Sequence, residues 1–109
     1  MFKLNPNPTF ECAVPLSVAG IPEPVELRVT FKHKNKTALN AWMKDAGSKD
    51  DTTLLAEVLT GWVGMKDDKG EEVPFSTTAL RDLLENYPAA HGEIFKTYLR
   101  ELTEAKRKN

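Results

Sequence analysis

Two neighbouring stretches of alternating side chains constrain the fold of this chain more than any other feature. Mostly apolar side chains recur at every second position from Phe10 to Val18 and again from Val25 to His33. Because successive side chains of a β-strand point to opposite faces, each stretch predicts a half-buried strand. The short connector AGIPEP favours an antiparallel hairpin. Pro15 has no amide hydrogen to donate, which places the first strand at a sheet edge or at a bulge.

After the hairpin, the apolar spacing changes to that of α-helices. One helix is predicted with Leu39, Trp42, Met43 and Ala46 on one face and Gly47 as its C-terminal cap. A second is predicted to start at Asp50 or Asp51 and to carry apolar residues at helical spacing, namely Leu54, Leu55, Val58, Leu59 and Trp62.

The segment 61–88, GWVGMKDDKGEEVPFSTTALRDLLENYP, has the most distinctive arrangement of turn, cap and helix-stop residues. Its acidic stretch around Gly70 predicts a small hairpin or Ω-like loop. Ser76 is a suitable N-cap for a third helix, which should stop at Tyr87-Pro88. A fourth helix follows, with an apolar stripe from Ile94 to Leu102. The predicted fold class is therefore α+β, with an N-terminal antiparallel β-hairpin followed by a bundle of about four short α-helices.

Length and composition favour one cytosolic domain covering residues 1–109, with 1–9 and 103–109 flexible. A chain of 109 residues with 40% hydrophobic and 28% charged residues is typical of a small globular protein. Cys12 is the only cysteine, which excludes an internal disulfide. No apolar run approaches the roughly 20 residues that span a bilayer, and the start of the chain lacks the apolar stretch of a signal peptide. We therefore expect no membrane association.

Nothing in the sequence indicates catalysis, a cofactor or a metal site. His33 and His91 lie in different predicted elements without further ligands at suitable spacing, and Cys12 has no neighbouring base. The acidic stretch lacks the spacing of an EF-hand loop. The basic run FKHKNK is not supported by a second basic helix, so we expect no nucleic-acid partner.

Charge is divided unevenly along the chain. Residues 1–49 hold seven Lys/Arg and four Asp/Glu, a balance of +3, whereas residues 50–109 hold eight and twelve, a balance of −4. Opposite patches of this kind orient protein partners. If the two patches lie on opposite sides of the domain, they predict head-to-tail self-association into a ring or spiral. The candidate residues are Lys32, Lys34 and Lys36 on the basic side, and Asp67, Asp68, Glu71 and Glu72 on the acidic side.

The ordered pattern in the second half of the chain resembles the tail assembly chaperones of long-tailed bacteriophages and prophages. The residues that carry this resemblance are expected to determine the fold; they are Trp62, Gly64, Gly70, Pro74, Phe75, Ser76, Tyr87 and Pro88, with the following apolar residues to Leu102. The resemblance implies a non-enzymatic protein of the host cytoplasm that binds and solubilises the tape measure protein, aids assembly of the tail tube protein and self-associates. It also implies that a longer product can arise by ribosomal frameshifting near the end of the reading frame. The alternative is a small cytosolic adaptor, of phage or bacterial origin, without a role in tail morphogenesis.

Overall fold

The computed structural model describes residues 2–104. Within these residues the chain forms a three-stranded sheet and four α-helices. The elements are β1 (Thr9–Leu16), β2 (Val25–Lys32), α1 (Lys36–Lys44), a 3₁₀ turn (Asp45–Gly47), α2 (Asp51–Ala56), β3 (Leu59–Val63), α3 (Thr77–Asn86) and α4 (Ala90–Thr103). The predicted α+β class, with an N-terminal hairpin and four helices, is confirmed.

The hairpin has a continuous antiparallel register, with Thr9 opposite Lys32 at one end and Leu16 opposite Val25 at the other. Pro15 lies on an edge strand as predicted, because the sheet order is β1-β2-β3. The alternation in the sequence places every second side chain on the face that the helices cover. The buried members are Cys12, Val14 and Leu16 in β1, and Leu27, Val29 and Phe31 in β2.

The prediction that the second helix continues to Trp62 is wrong. α2 ends at Ala56, and the residues Leu59–Val63 form the third strand, which pairs antiparallel with β2. The backbone groups of this segment bond to a strand about thirty residues earlier in the chain rather than to the preceding turn. The strand was missed because such a long-range partner leaves no trace in the local spacing of apolar residues.

A β-bulge explains why this strand has the spacing of a helix. Thr30 pairs with Gly61 and Phe31 pairs with Leu59, so Thr60 is the extra residue in the ladder. In a regular strand, residues three positions apart face opposite sides of the sheet. The bulge places Leu59 and Trp62 together in the core, at 1% and 8% exposure. Two apolar residues three apart are also what one face of a helix shows.

Side-chain caps mark the starts of α1, α2 and α3. Asn35 Oδ1 accepts from the Ala38 amide at 2.9 Å at the start of α1. The predicted N-caps of α2 and α3 are confirmed. Asp50 Oδ2 accepts from the Thr53 amide at 3.5 Å, and Ser76 Oγ accepts from the Ala79 amide at 3.0 Å. Each cap satisfies an amide that has no partner inside its helix.

Two details of α1 differ from the prediction. Gly47 is not a left-handed C-terminal cap, because the chain leaves α1 through Asp45 and continues as the 3₁₀ turn. Met43, predicted on the buried face with Trp42, is 43% exposed. Only Trp42 of this helix is fully buried, so its apolar stripe is narrower than the spacing suggested.

Aromatic side chains join the helices to the sheet. The Tyr98 ring lies 4.9 Å from that of Phe31 and 5.2 Å from that of Trp42, measured between ring centroids. Its hydroxyl donates to the Lys32 carbonyl at 2.8 Å, and burial raises the pKa of Tyr98 to about 12. Trp42 Nε1 donates to the Leu54 carbonyl at 3.0 Å. These bonds satisfy the polar atoms that the two rings carry into the core.

Residues 2–8 precede β1 and belong to no helix or strand, and Lys3 Nζ donates to Asn7 Oδ1 at 2.9 Å within them. The flexibility of residues 1–9 and 103–109 stays a prediction. Of the second segment, residues 105–109 lie outside the described part of the chain, as does residue 1.

Candidate protein-binding surfaces

The motif around Trp62 forms a structural unit between β3 and α3. Trp62 Nε1 donates to the Val73 carbonyl at 2.9 Å, and the Trp62 ring meets the Phe75 ring edge-on at 5.0 Å. Gly64 and Gly70 have φ angles of 85° and 79°, a region that glycine adopts without strain. These residues hold the intervening turn against the sheet.

The acidic turn, residues 67–72, is organised by its first residue. Asp67 Oδ1 accepts from the amides of Lys69 and Glu71, both at 2.9 Å, so this carboxylate belongs to the turn itself. Glu72 pairs with Lys66 at 3.1 Å across the only isolated bridge found among the described residues. Asp68 and Glu71 are exposed, and their carboxylates make no hydrogen bond or ion pair within residues 2–104. They are the members of the turn that can meet a partner.

The basic segment, residues 32–36, begins with the last residue of β2. Lys32 and Lys36 are exposed and Lys34 is half-buried, and none of the three ammonium groups has an ion-pair partner in the described chain. Lys36 is the first residue of α1, where a positive charge opposes the helix dipole. Its charge therefore does not serve the stability of this helix.

The sheet separates the two charged groups. The basic segment begins where β2 ends, opposite Thr9. The acidic turn follows β3, whose last residue Val63 lies opposite Arg28, so the chain leaves the sheet toward the beginning of β2. At about 3.4 Å per residue, Lys32 and Arg28 are already ~14 Å apart along the strand. The two groups lie at opposite ends of β2.

An apolar groove opens at the acidic end of the sheet. Its volume is about 150 Å³. Val25 points to the covered face of the sheet but lies beyond the helices and remains 51% exposed. The chain after β3 and the helix α3 form the opposite wall. The lining consists of Leu16, Val18, Val25, Glu26, Leu27, Gly64, Met65, Leu83 and Tyr87.

The rim of the apolar groove is acidic. Glu26 is its one charged lining residue. Met65, Leu83 and Tyr87 also line a neighbouring depression, which contains Asp68 and Asp82 together with Asp67 and Lys66. The groove therefore combines apolar walls with carboxylates close to its mouth, a combination suited to an apolar side chain next to a basic one.

Cysteine and histidine side chains do not converge on one site in residues 2–104. Cys12 is 3% exposed and packs in the core as a small apolar residue. His91 is half-buried, with Nε2 at 3.5 Å from Asp51. No three histidine, cysteine or acidic side chains between residues 2 and 104 are placed to hold a metal ion. None of the helices in this part of the chain has the length and apolar character needed to cross a membrane.

The fold and its surfaces define a small α+β protein with charge at both ends of the sheet and an apolar groove at one of them. A family model described as phage tail assembly chaperone matches residues 1–109, the whole chain. The chain therefore belongs to the phage tail assembly chaperone family, which is not a known enzyme family. Comparison with curated proteins and with solved structures gave no match.

Proposed function

We propose that this member of the family binds the tape measure protein, keeps it soluble during tail assembly and helps to bring tail tube subunits to it. The observation that carries this proposal is the family match, which extends over the entire chain. The protein acts without catalysis, in the cytoplasm of the host.

Physical considerations support such a role. A tape measure protein is a long helical molecule with an extended apolar face, and exposed apolar surface of that size leads to aggregation. Small modules arranged along the face can mask it if each one offers apolar contacts and a charged exterior. A domain with a 150 Å³ apolar groove and an acidic rim has the features of such a module.

Self-association would supply the repeated arrangement. The basic segment and the acidic turn lie at opposite ends of β2, so the basic end of one copy can face the acidic end of the next. A contact between two different surfaces leaves one of each unused and therefore builds a ring or a spiral. Exposed ion pairs contribute only ~0–1 kcal/mol each, so they orient the contact and an apolar interaction must stabilise it.

Co-expression with the tape measure protein encoded in the same phage genome tests the chaperone role. We expect the tape measure protein to move from the insoluble to the soluble fraction and to copurify with this protein. An unrelated long coiled-coil protein of similar size serves as the control client. If the tape measure protein stays insoluble beside soluble, folded chaperone, the proposal is wrong. Copurification of a different phage or bacterial protein in that case would favour the adaptor alternative.

A further inference from the structure

The N-terminal arm, residues 2–8, carries two apolar side chains that no other part of the described chain covers. Phe2 is 99% exposed and Leu4 is 95% exposed. Single exposed apolar residues are common on protein surfaces. Two of them on one short arm, next to a charged residue, form a small ligand for an apolar site.

The apolar groove has the size and lining for one of these side chains. A dry apolar cavity of about 150 Å³ accommodates a benzene-sized group, and the groove has that volume. Its walls are formed by Leu16, Leu27 and Leu83 with Met65. A phenyl ring entering it would also cover Val25, the exposed residue of the covered sheet face.

Charge complements this apolar fit. Lys3 lies between the two apolar residues of the arm, and its ammonium group makes only an exposed local bond to Asn7. The carboxylates of Asp68 and Asp82 lie in the depression that adjoins the groove, whereas the side chain of Glu26 alternates to the other face of the sheet. A ring bound in the groove would bring the neighbouring lysine to these carboxylates.

To reach the groove of its own chain, the arm would have to fold back and run fully extended along the whole of β1. It leaves the sheet at Thr9, whereas the groove lies at the other end of β1, beside Leu16. Seven residue steps separate these ends, or ~24 Å at strand spacing. Seven steps also join Phe2 to Thr9, and in the extended conformation that Pro6 and Pro8 favour they span only ~22 Å, before any reversal of direction. A second copy has no such limit.

We propose that the N-terminal arm of one copy binds the apolar groove of the next, with Phe2 as the inserted side chain and Lys3 facing the acidic rim. This contact deepens the self-association proposed above and rests on it. Arm and groove are different surfaces at opposite ends of the sheet, so each copy gives one contact and receives one. The buried surface is far below that of a stable dimer, and the association is therefore weak and dependent on concentration.

Mixing of two one-sided variants tests the pairing. Phe2→Ser/Leu4→Ser removes the arm's apolar residues and leaves the groove intact, whereas Val25→Arg blocks the groove and leaves the arm intact. In sedimentation, the self-association constant of each variant alone should be at least about tenfold lower than that of the parent. Their mixture should form 1:1 dimers that grow no further, because one productive contact remains. Met43→Arg places the same charge at a similarly exposed site on α1 and should associate like the parent.

Cysteine pairs report the contact directly. Lys3→Cys and Asp82→Cys keep the inserted ring and the apolar walls, and Cys12 is buried in both. Mixing the two should give an intermolecular disulfide under mild oxidation that neither gives alone at the same rate. A chain carrying both substitutions should form polymers rather than an internal disulfide. An internal disulfide that persists on dilution would show that the arm covers its own groove, and would overturn the proposal.

The outcomes separate this inference from the proposed function. A parent that stays monomeric at high concentration refutes self-association and the arm contact together. A parent that associates, with both one-sided variants unaffected, refutes only the arm contact. Solubilisation of the tape measure protein is a separate measurement, so a chaperone role can stand without either.

Discussion

Replacing Trp62 by alanine should destabilise the fold rather than remove a binding site. Trp62 is 8% exposed, lies opposite Val29 in the sheet and bonds through its ring to the Val73 carbonyl. Truncating a buried aromatic residue costs ~3–5 kcal/mol. That loss is a large part of the ~5–15 kcal/mol by which domains of this size are stable. At ~4 °C or more per kcal/mol, the melting temperature should fall by at least ~12 °C.

Thermal and urea melts of three further variants separate the contributions of packing, hydrogen bonding and surface position. Trp62→Phe keeps most of the ring but loses the hydrogen bond, and should lose about 1 kcal/mol more than packing alone requires. Phe75→Ala should destabilise in the same direction but less, because Phe75 is only half-buried. Val63→Thr changes a neighbouring side chain that is 64% exposed and should stay within ~0.5 kcal/mol of the parent. If Trp62→Ala melts like the parent yet loses client binding, Trp62 is an interface residue and the reasoning fails.

Two further predictions concern Tyr98 and the charged ends of the sheet. Tyr98→Phe keeps the ring contacts but removes the bond to the Lys32 carbonyl, so urea melts should show a loss of ~0.5–1.5 kcal/mol. Because folding raises the pKa of Tyr98 to about 12, its contribution is complete below the unfolded value of ~10 and is lost as the pH rises through 12. Alkaline melts of the parent should show this loss and those of Tyr98→Phe should not; equal slopes would contradict it. Lys32→Glu/Lys34→Glu should weaken self-association in sedimentation at low salt, and the parent's association should fall as salt screens the charges. Combination with Asp68→Lys/Glu71→Lys should restore it, and a parent indifferent to salt and to both reversals would refute the charge pairing.

The charge-reversal design shows what the structure adds to the sequence. From the sequence, Asp67 and Asp68 are equivalent members of an acidic run. In the structure, the Asp67 carboxylate accepts from two amides of the turn, whereas Asp68 is exposed and has no partner among residues 2–104. Reversing the charge of Asp67 would disrupt the turn. A loss of association in that variant could then come from misfolding rather than from the lost charge pairing. Local spacing cannot distinguish these roles, because they depend on how the turn closes.

Local patterns predicted those parts of the fold that local interactions determine. Alternation identified β1 and β2, and the N-cap residues Asp50 and Ser76 marked the starts of their helices. The end of α3 before Tyr87-Pro88 followed from the inability of proline to continue a helix. The apolar groove was not predicted, since its walls come from the hairpin, the chain after β3 and α3. Only the three-dimensional arrangement brings these segments together.

The bulge at Thr60 has a consequence for changes in chain length. In a regular strand, deleting one residue turns every later side chain to the opposite face of the sheet. In β3 the extra residue already separates Leu59 from Gly61, which pair with the consecutive residues Phe31 and Thr30. Loss of Thr60 would leave a regular ladder with Leu59 and Trp62 still facing the core. A single-residue deletion between Leu59 and Trp62 therefore leaves both side chains on the core face, whereas in a strand without a bulge it would turn every later side chain to the opposite face.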